Sequence, residues 1–414
     1  MRIKSLKKGI QIMLCIFMGS LLFSSQVFAE EMSNQELMQE LKATQKRLEL
    51  LENLLKNRVE KPRVKGEQHK GSSVGVKSLD DRVRRLEKQS EENPLLGTWA
   101  EKITLSGLIE VEGSYEDVDY DDPGTPDEDS SDITLATVEL GIDADIAKHV
   151  GGHILFLWED GDSSVNLDEG FIILDGEDVV PLYMNIGQLY VPFGNFESHF
   201  ISDPLTLEIG ETSEGAVKAG YTNEWVEACV SVYNGDVDES GDSDSHIDDF
   251  VASINITPTI SEDFSISFGV SYISNIAESD GLEDETSGTI EEDVSGMGAF
   301  ASIAYKERFF LELEYVSAID NFHAGDLSFD NGRDLEPETW NIEFAFLPID
   351  GLELAVRYEG GNDLGDEFLP DTRYGGIVSY FLFDATTLAV EYLHSSYDND
   401  DESDTVTVQL GVEF

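Results

Sequence analysis

Cysteine is almost missing from this chain. Of the two present, Cys15 lies in an early apolar run without a lipobox around it (IMLC), which leaves Cys229 as the one thiol beyond residue 29. A disulfide within that remainder is excluded, and so is a cysteine-based metal site. Basic residues are nearly as scarce from residue 103 onward, where 7 Lys and Arg face 71 Asp and Glu. Nucleic acid is excluded as a ligand, because phosphate binding needs clustered Lys and Arg, and cations are favoured instead. No polar-flanked apolar stretch reaches the about 20 residues of a spanning helix. Nucleophile, phosphate and metal motifs are missing too: there is no GxSxG, P-loop or HExxH, and the 7 His are scattered. An enzyme is therefore not expected.

What is present begins with MRIKSLKKG, an apolar run from Ile10 to Phe23, and Ala29 before an acidic start. This is the pattern of a secretory signal peptide over residues 1–29. Over residues 30–60 Leu37, Leu41, Leu48, Leu51 and Leu55 follow a heptad seam, with Thr44 and Arg58 filling its remaining positions. Residues 61–75 read as a basic linker containing Gly and Ser, and residues 76–101 as a second short helix (Val76, Leu79, Val83, Leu86) with its linker. Helices this short are marginal alone. Self-association through the coiled coil, as a homotrimer, is the expectation; a single helix lying on its own barrel is the alternative.

From Ile103 the apolar period changes from helical to two and stays so to the end. Ile103, Leu105, Ile109 and Val111 alternate with Thr104, Ser106, Glu110 and Glu112; Val406, Val408, Leu410, Val412 and Phe414 alternate with Thr405, Thr407, Gln409 and Glu413. About 16 such segments can be counted, those at 165–174 and 215–222 being the weakest, and strands of about 9 to 11 residues with one apolar face suit a tilted membrane-spanning barrel. Long gaps, the first at 116–131, alternate with tight ones (AKHV, TN, KER, LPID, FDATT). Aromatics also sort to two rims, with Tyr115, Tyr272, Tyr315, Tyr358 and Tyr392 at one and Tyr305, Phe309, Phe346 and Phe414 at the other. The expected fold is an all-β transmembrane barrel of about 16 antiparallel strands over residues 102–414, behind a coiled-coil prefix. Its expected place is the bacterial outer membrane, among lipid and lipopolysaccharide, with the helices and the C-terminus periplasmic.

A barrel of this size is wide enough for an aqueous channel. The inward faces offer Glu110, Glu112, Glu139, Asp143, Asp145, Glu227, Glu312, Glu314, Glu343, Glu353 and Glu391 as pore-lining carboxylates, with Arg357 a rare inward cation. Such a lining concentrates cations. One gap differs from the rest: VPFGNFESHFISDPLTLEIGETSE is apolar and aromatic, too costly to leave in water. It is expected to fold inward as a constriction carrying Phe193, Phe196, Glu197, His199, Phe200, Asp203, Glu208 and Glu211, bent at Pro192, Gly194 and Pro204. Two extra short strands or an external cap are the alternatives. The other long gaps read as solvated acidic tips, without a cofactor or a defined metal site. Weak Ca²⁺ or Mg²⁺ binding there is the alternative, its best string beginning Asp236, Asp238, Ser240, Gly241 but ending on Ile247 where an EF-hand needs Glu.

Residues 187–212 (GQLYVPFGNFESHFISDPLTLEIGET) resemble the LbtU family of siderophore porins, as do SGLIEVEGSYED at 106–117 and VSVYNGDVDE at 230–239. That resemblance implies an outer-membrane barrel for ferric-siderophore and iron uptake without a plug domain. The residues themselves leave two other classes open, a cation-preferring diffusion porin for small hydrophilic solutes and a structural or adhesive envelope barrel.

Overall fold

The computed structural model describes residues 102–414 apart from 177–178 and 242–245. The expected signal peptide, coiled coil, linker and second helix all lie outside the described residues. Within them, the period-two segments pair into a closed antiparallel barrel of 16 strands. In chain order these are β1 (Ile103–Asp119), β2 (Glu128–Ala147), β3 (Val150–Glu159), β4 (Asn166–Asp175), β5 (Leu182–Tyr190), β6 (Ser213–Thr222) and β7 (Val226–Tyr233). After the two-residue β8 (Asp238–Glu239) come β9 (Asp249–Ile256) and β10 (Phe264–Ile273). After the two-residue β11 (Thr289–Ile290) come β12 (Gly296–Tyr305), β13 (Phe309–Ala318), β14 (Glu338–Ile349) and β15 (Leu352–Asn362). β16 (Thr372–Phe383), β17 (Thr386–Ser396) and β18 (Glu402–Glu413) complete the ring. β8 and β11 stand outside it as a parallel bridge between two loops.

The two weakest segments are both strands, β4 and β6. The ring closes where β1 meets β18, in register from Leu108↔Glu413 to Asp119↔Glu402. The first long gap is shorter than its composition suggests. The expected loop 116–131 shrinks to 120–127, because β1 and β2 go on pairing through acidic residues as far as Val118↔Glu128.

The polarity is inverted relative to a soluble protein. On β14 and β15 the exposed side chains are Ile342, Phe344, Leu354, Val356 and Tyr358, whereas Glu343, Arg357 and Glu359 are buried at 0%, 2% and 0% exposure. Two aromatic rims contact laterally: Phe250 with Tyr272 (5.7 Å) and Trp340 with Tyr358 (4.9 Å) at one end, Tyr305 with Phe309 (6.3 Å) and Phe309 with Phe346 (4.8 Å) at the other. An exposed apolar belt between aromatic rims is what a lipid-embedded barrel needs.

The long loops depart from the sequence expectation. Rather than solvated tips, residues 274–295 and 319–337 form a compact cap whose Ile276, Leu282, Ile290, Phe322, Leu327 and Leu335 are at most 2% exposed. A 3-10 turn (Ile276–Glu278), capped by the Asn275 side chain on Ala277 N–H, and helix α2 (Asp280–Glu283) shape it; the lumen loop described below contributes α1 (Leu205–Glu208). The apolar residues are spaced singly among carboxylates, so no periodic signal marks them, yet they converge in space. Ile276→Ala or Leu282→Ala should weaken the cap by about 2–5 kcal/mol. The expected outcome is protease cleavage within 274–295 while the barrel itself stays intact, read by mass spectrometry of the fragments.

Candidate functional site

The aromatic gap between β5 and β6 crosses into the barrel and lies on the inner face of β13–β17. Its entry is a tight hook. Gly194 sits at φ +78°, and a Cβ there would come within 2.2 Å of the Phe196 ring. Phe196 itself takes φ +53°, a left-handed conformation that L residues avoid. Glu314 offsets that strain by accepting the N–H groups of Asn195 (2.6 Å) and Phe196 (3.0 Å), and also the Thr206 hydroxyl (3.0 Å). Pro204, extended at φ −72°, opens α1.

The wall carboxylates continue this pattern along the segment. Glu343 accepts from Ser198 Oγ (3.0 Å) and His199 N (2.9 Å), Glu391 from Ile201 N (2.7 Å), and Glu359 from Leu205 N (2.8 Å). Between them inward Ala345, Ala355 and Ala389 leave space that Phe200 and Ile201 fill. Arg357 joins the layers. Its Nε donates to Glu343 (2.8 Å), Nη1 to Ser202 Oγ (3.1 Å) and the Asp203 carbonyl (3.2 Å), and Nη2 to Ser198 Oγ and the Ser202 carbonyl (2.9 Å). Its guanidinium lies 4.3 Å from the Phe200 ring centroid. Arg373 adds a bond to Glu359 (2.5 Å) and another to the Asp203 carbonyl (2.5 Å).

This placement sorts the sequence-derived residues. Glu312, Glu314, Glu343, Arg357 and Glu391 face inward, but at 8%, 9%, 0%, 2% and 2% exposure they are sealed beneath the loop and do not line open water. Sequence reasoning took their inward direction from strand alternation and could not see what covers them. Glu353 stays at the edge of the cover, bonded to His199 Nδ1 at 3.1 Å. Burial lowers the His199 pKa, but the Glu353 hydrogen bond and the charges of Glu353, Glu343 and Glu312 outweigh it and hold the imidazole above its ordinary value. Glu227 accepts from Tyr183 OH at 2.5 Å.

On the opposite wall, β1–β4, Glu110, Glu112, Glu139, Asp143 and Asp145 keep partial or full solvent access. Glu159, Asp168, Glu169 and His153 belong with them and were not singled out from sequence; at Asp168 a bulge opposite Leu155/Phe156 interrupts the alternation. His153 bridges Asp143 (2.7 Å) and Glu169 (3.3 Å). Of the loop residues, Phe193 is buried at 2% and anchors the fold, while Asp203 is exposed and Glu208 and Glu211 are half-buried. Burial, then the carboxylates of Asp280, Asp203, Asp168 and Glu159, push Glu211 up to about 7. That set draws on the loop, the cap and strands β3 and β4, so the carboxylates at the root of the loop lie within electrostatic reach of that wall. Among the described residues, no three His, Cys, Asp or Glu side chains are arranged to hold a metal ion.

A ring of 16 strands with an inward-folded loop is a porin-like barrel. Three solved porins share the fold. The anion-selective porin from Comamonas acidovorans superimposes with a TM-score of 0.53 at 14% identity, covering 75% of this chain and 99% of that one. Pseudomonas putida OprB gives 0.52 at 12% identity, over 76% and 95%. Salmonella typhi OmpF, solved with daunomycin, gives 0.51 at 10% identity, over 75% and 97%. In sequence the chain is similar to the UPF0422 protein lpl2888 of Legionella pneumophila (strain Lens), 26% identical over 327 residues, which cover 70% of this chain and 58% of that protein. A UPF0422 protein of Coxiella burnetii is 29% identical over 241 residues, 56% of this chain and 51% of its own length. The chain thus spans between half and three fifths of the length of these curated relatives. No family model matches it.

Arg357→Met tests the clamp. It leaves Glu343 without its buried partner and Glu359 with Arg373 alone, at a cost of about 3–5 kcal/mol. The loop should detach from the wall, and single-channel conductance should rise above that of the unaltered protein. An unchanged conductance would mean that the loop does not restrict the passage.

Proposed function

We propose that this protein is an outer-membrane diffusion porin whose throat passes cations in preference to anions. One observation carries the reading. Arg357 and Arg373 are occupied in holding the loop to its wall, while the inward carboxylates of β1–β4 keep solvent access and Glu211 of the loop lies within electrostatic reach of Asp168 and Glu159. Acidic groups on both sides raise the local cation concentration and repel anions. The anion-selective Comamonas porin shares the fold, so selectivity is a property of the lining and not of the ring.

The cargo is the finer question. The likeness of residues 187–212 to siderophore porins favours ferric siderophores, and the acidic lumen restricts these to neutral or cationic complexes. Loss of growth on such a complex alone, after deletion of the gene, would separate that cargo from general solutes. In this reading the short turns and the C-terminus face the periplasm, and residues 30–60 form a trimeric coiled-coil tether on the same side. Cross-linking of the full chain that stops at monomer would remove the tether.

The selectivity is tested in planar bilayers across a tenfold KCl gradient. The reversal potential should favour K⁺, and the preference should shrink at high salt as the Debye length falls to about 3 Å at 1 M. Glu211, raised to about 7, is mostly neutral below that pH and charged above it. Cation preference should therefore increase from pH 6 to pH 8. A reversal potential favouring chloride would overturn the proposal.

A further inference from the structure

We propose that the root of the lumen loop holds a subsite for an organic ammonium ion, a protonated amine carrying an aromatic or aliphatic group. This deepens the cation-passing reading and rests on it. A cavity of about 360 Å³ opens where β5 enters the loop and the loop returns toward β6. That volume lies within the range of about 300–1,000 Å³ typical of small-molecule sites. Val191, Phe193, Phe196 and Leu207 give it an apolar side, while Tyr190 and Glu211 give it a polar one.

The two sides suit a molecule that is greasy at one end and positive at the other. Phe196 is a fixed surface, because its ring lies against both glycines beside it: a Cβ on Gly194 or Gly210 would approach the ring to 2.2 Å or 2.7 Å. A face held this rigidly can receive an alkyl or aryl group, or a cation, without ordering cost. Tyr190, which lines the same cavity, donates its hydroxyl to Asp168 Oδ1 at 3.0 Å, so a second carboxylate lies within reach of the polar side. Asp280 and Asp203 add their charge to the field at Glu211. Among the described residues, no Lys or Arg forms an ion pair with Glu211 or Asp168. A bare metal ion is disfavoured, since no three ligating side chains converge among the described residues. An ammonium group needs only one or two carboxylates and an aromatic face.

The test uses the purified full chain in planar bilayers, with 2-phenylethylammonium, ethylammonium and 2-phenylethanol as probes. The first should interrupt single-channel current at concentrations where the other two, lacking the ring or the charge, do not. Glu211→Gln should raise the blocking concentration by about tenfold, the loss expected when a charged hydrogen-bonding partner is neutralised, and Phe196→Leu should raise it as well. Equal block by all three probes, or block that Glu211→Gln leaves unchanged, would overturn the subsite. The comparison among probes on the unaltered protein stands even if a variant fails to fold. The same bilayers report reversal potential, so failure is separable: a K⁺-favouring potential without selective block removes only the subsite, and a chloride-favouring one removes the cation-passing reading beneath it.

Discussion

A row of buried carboxylates accepting backbone N–H groups holds the inside of this barrel together. Glu314, Glu343, Glu391 and Glu359 each take at least one such donor from residues 195–205. A carboxylate removed from water is costly unless it is hydrogen-bonded or paired, and a loop backbone removed from water is costly for the same reason. Each solves the other's problem. Arg357 supplies the balancing charge and binds the same segment through two carbonyls, so wall and loop form one network with few missing partners.

The two walls of the lumen consequently have different fates although their compositions are alike. On β13–β17 the acidic side chains are consumed structurally; on β1–β4 they remain in contact with water. An excess of Asp and Glu over Lys and Arg has no single meaning in such a chain. The same residue type, at the same inward position of the pleat, is a bracket on one side and part of the passage on the other.

The sequence disclosed the ring well, because a period of two on a lipid-facing strand is imposed by solvent at every second residue. Of the two faintest segments, β6 obeys it throughout and β4 only beyond the bulge at Asp168. It also singled out residues 193–209 by composition, since seven large apolar side chains in a gap have to be buried somewhere. It did not disclose the cap over 274–295 and 319–337, where Ile276, Leu282, Ile290 and Phe322 come together from turns without any repeat. Nor could it separate Glu343 from Glu139: alternation gives the direction of a side chain, whereas its access to water depends on a segment more than 100 residues away. Asp168 escaped for a local reason, the bulge that breaks the alternation beside it.

The seam between β1 and β18 joins Leu108 to Glu413. Contacts this remote along the chain form late, because a long loop must be closed before any of their energy is gained. The barrel therefore has no shortcut through a small local nucleus, and its assembly should be slow and all-or-none. The same ring, once joined, leaves no unpaired edge from which strands can peel. Slow entry and slow exit come from one feature, and the lifetime of the closed state becomes a matter of kinetics more than of equilibrium stability.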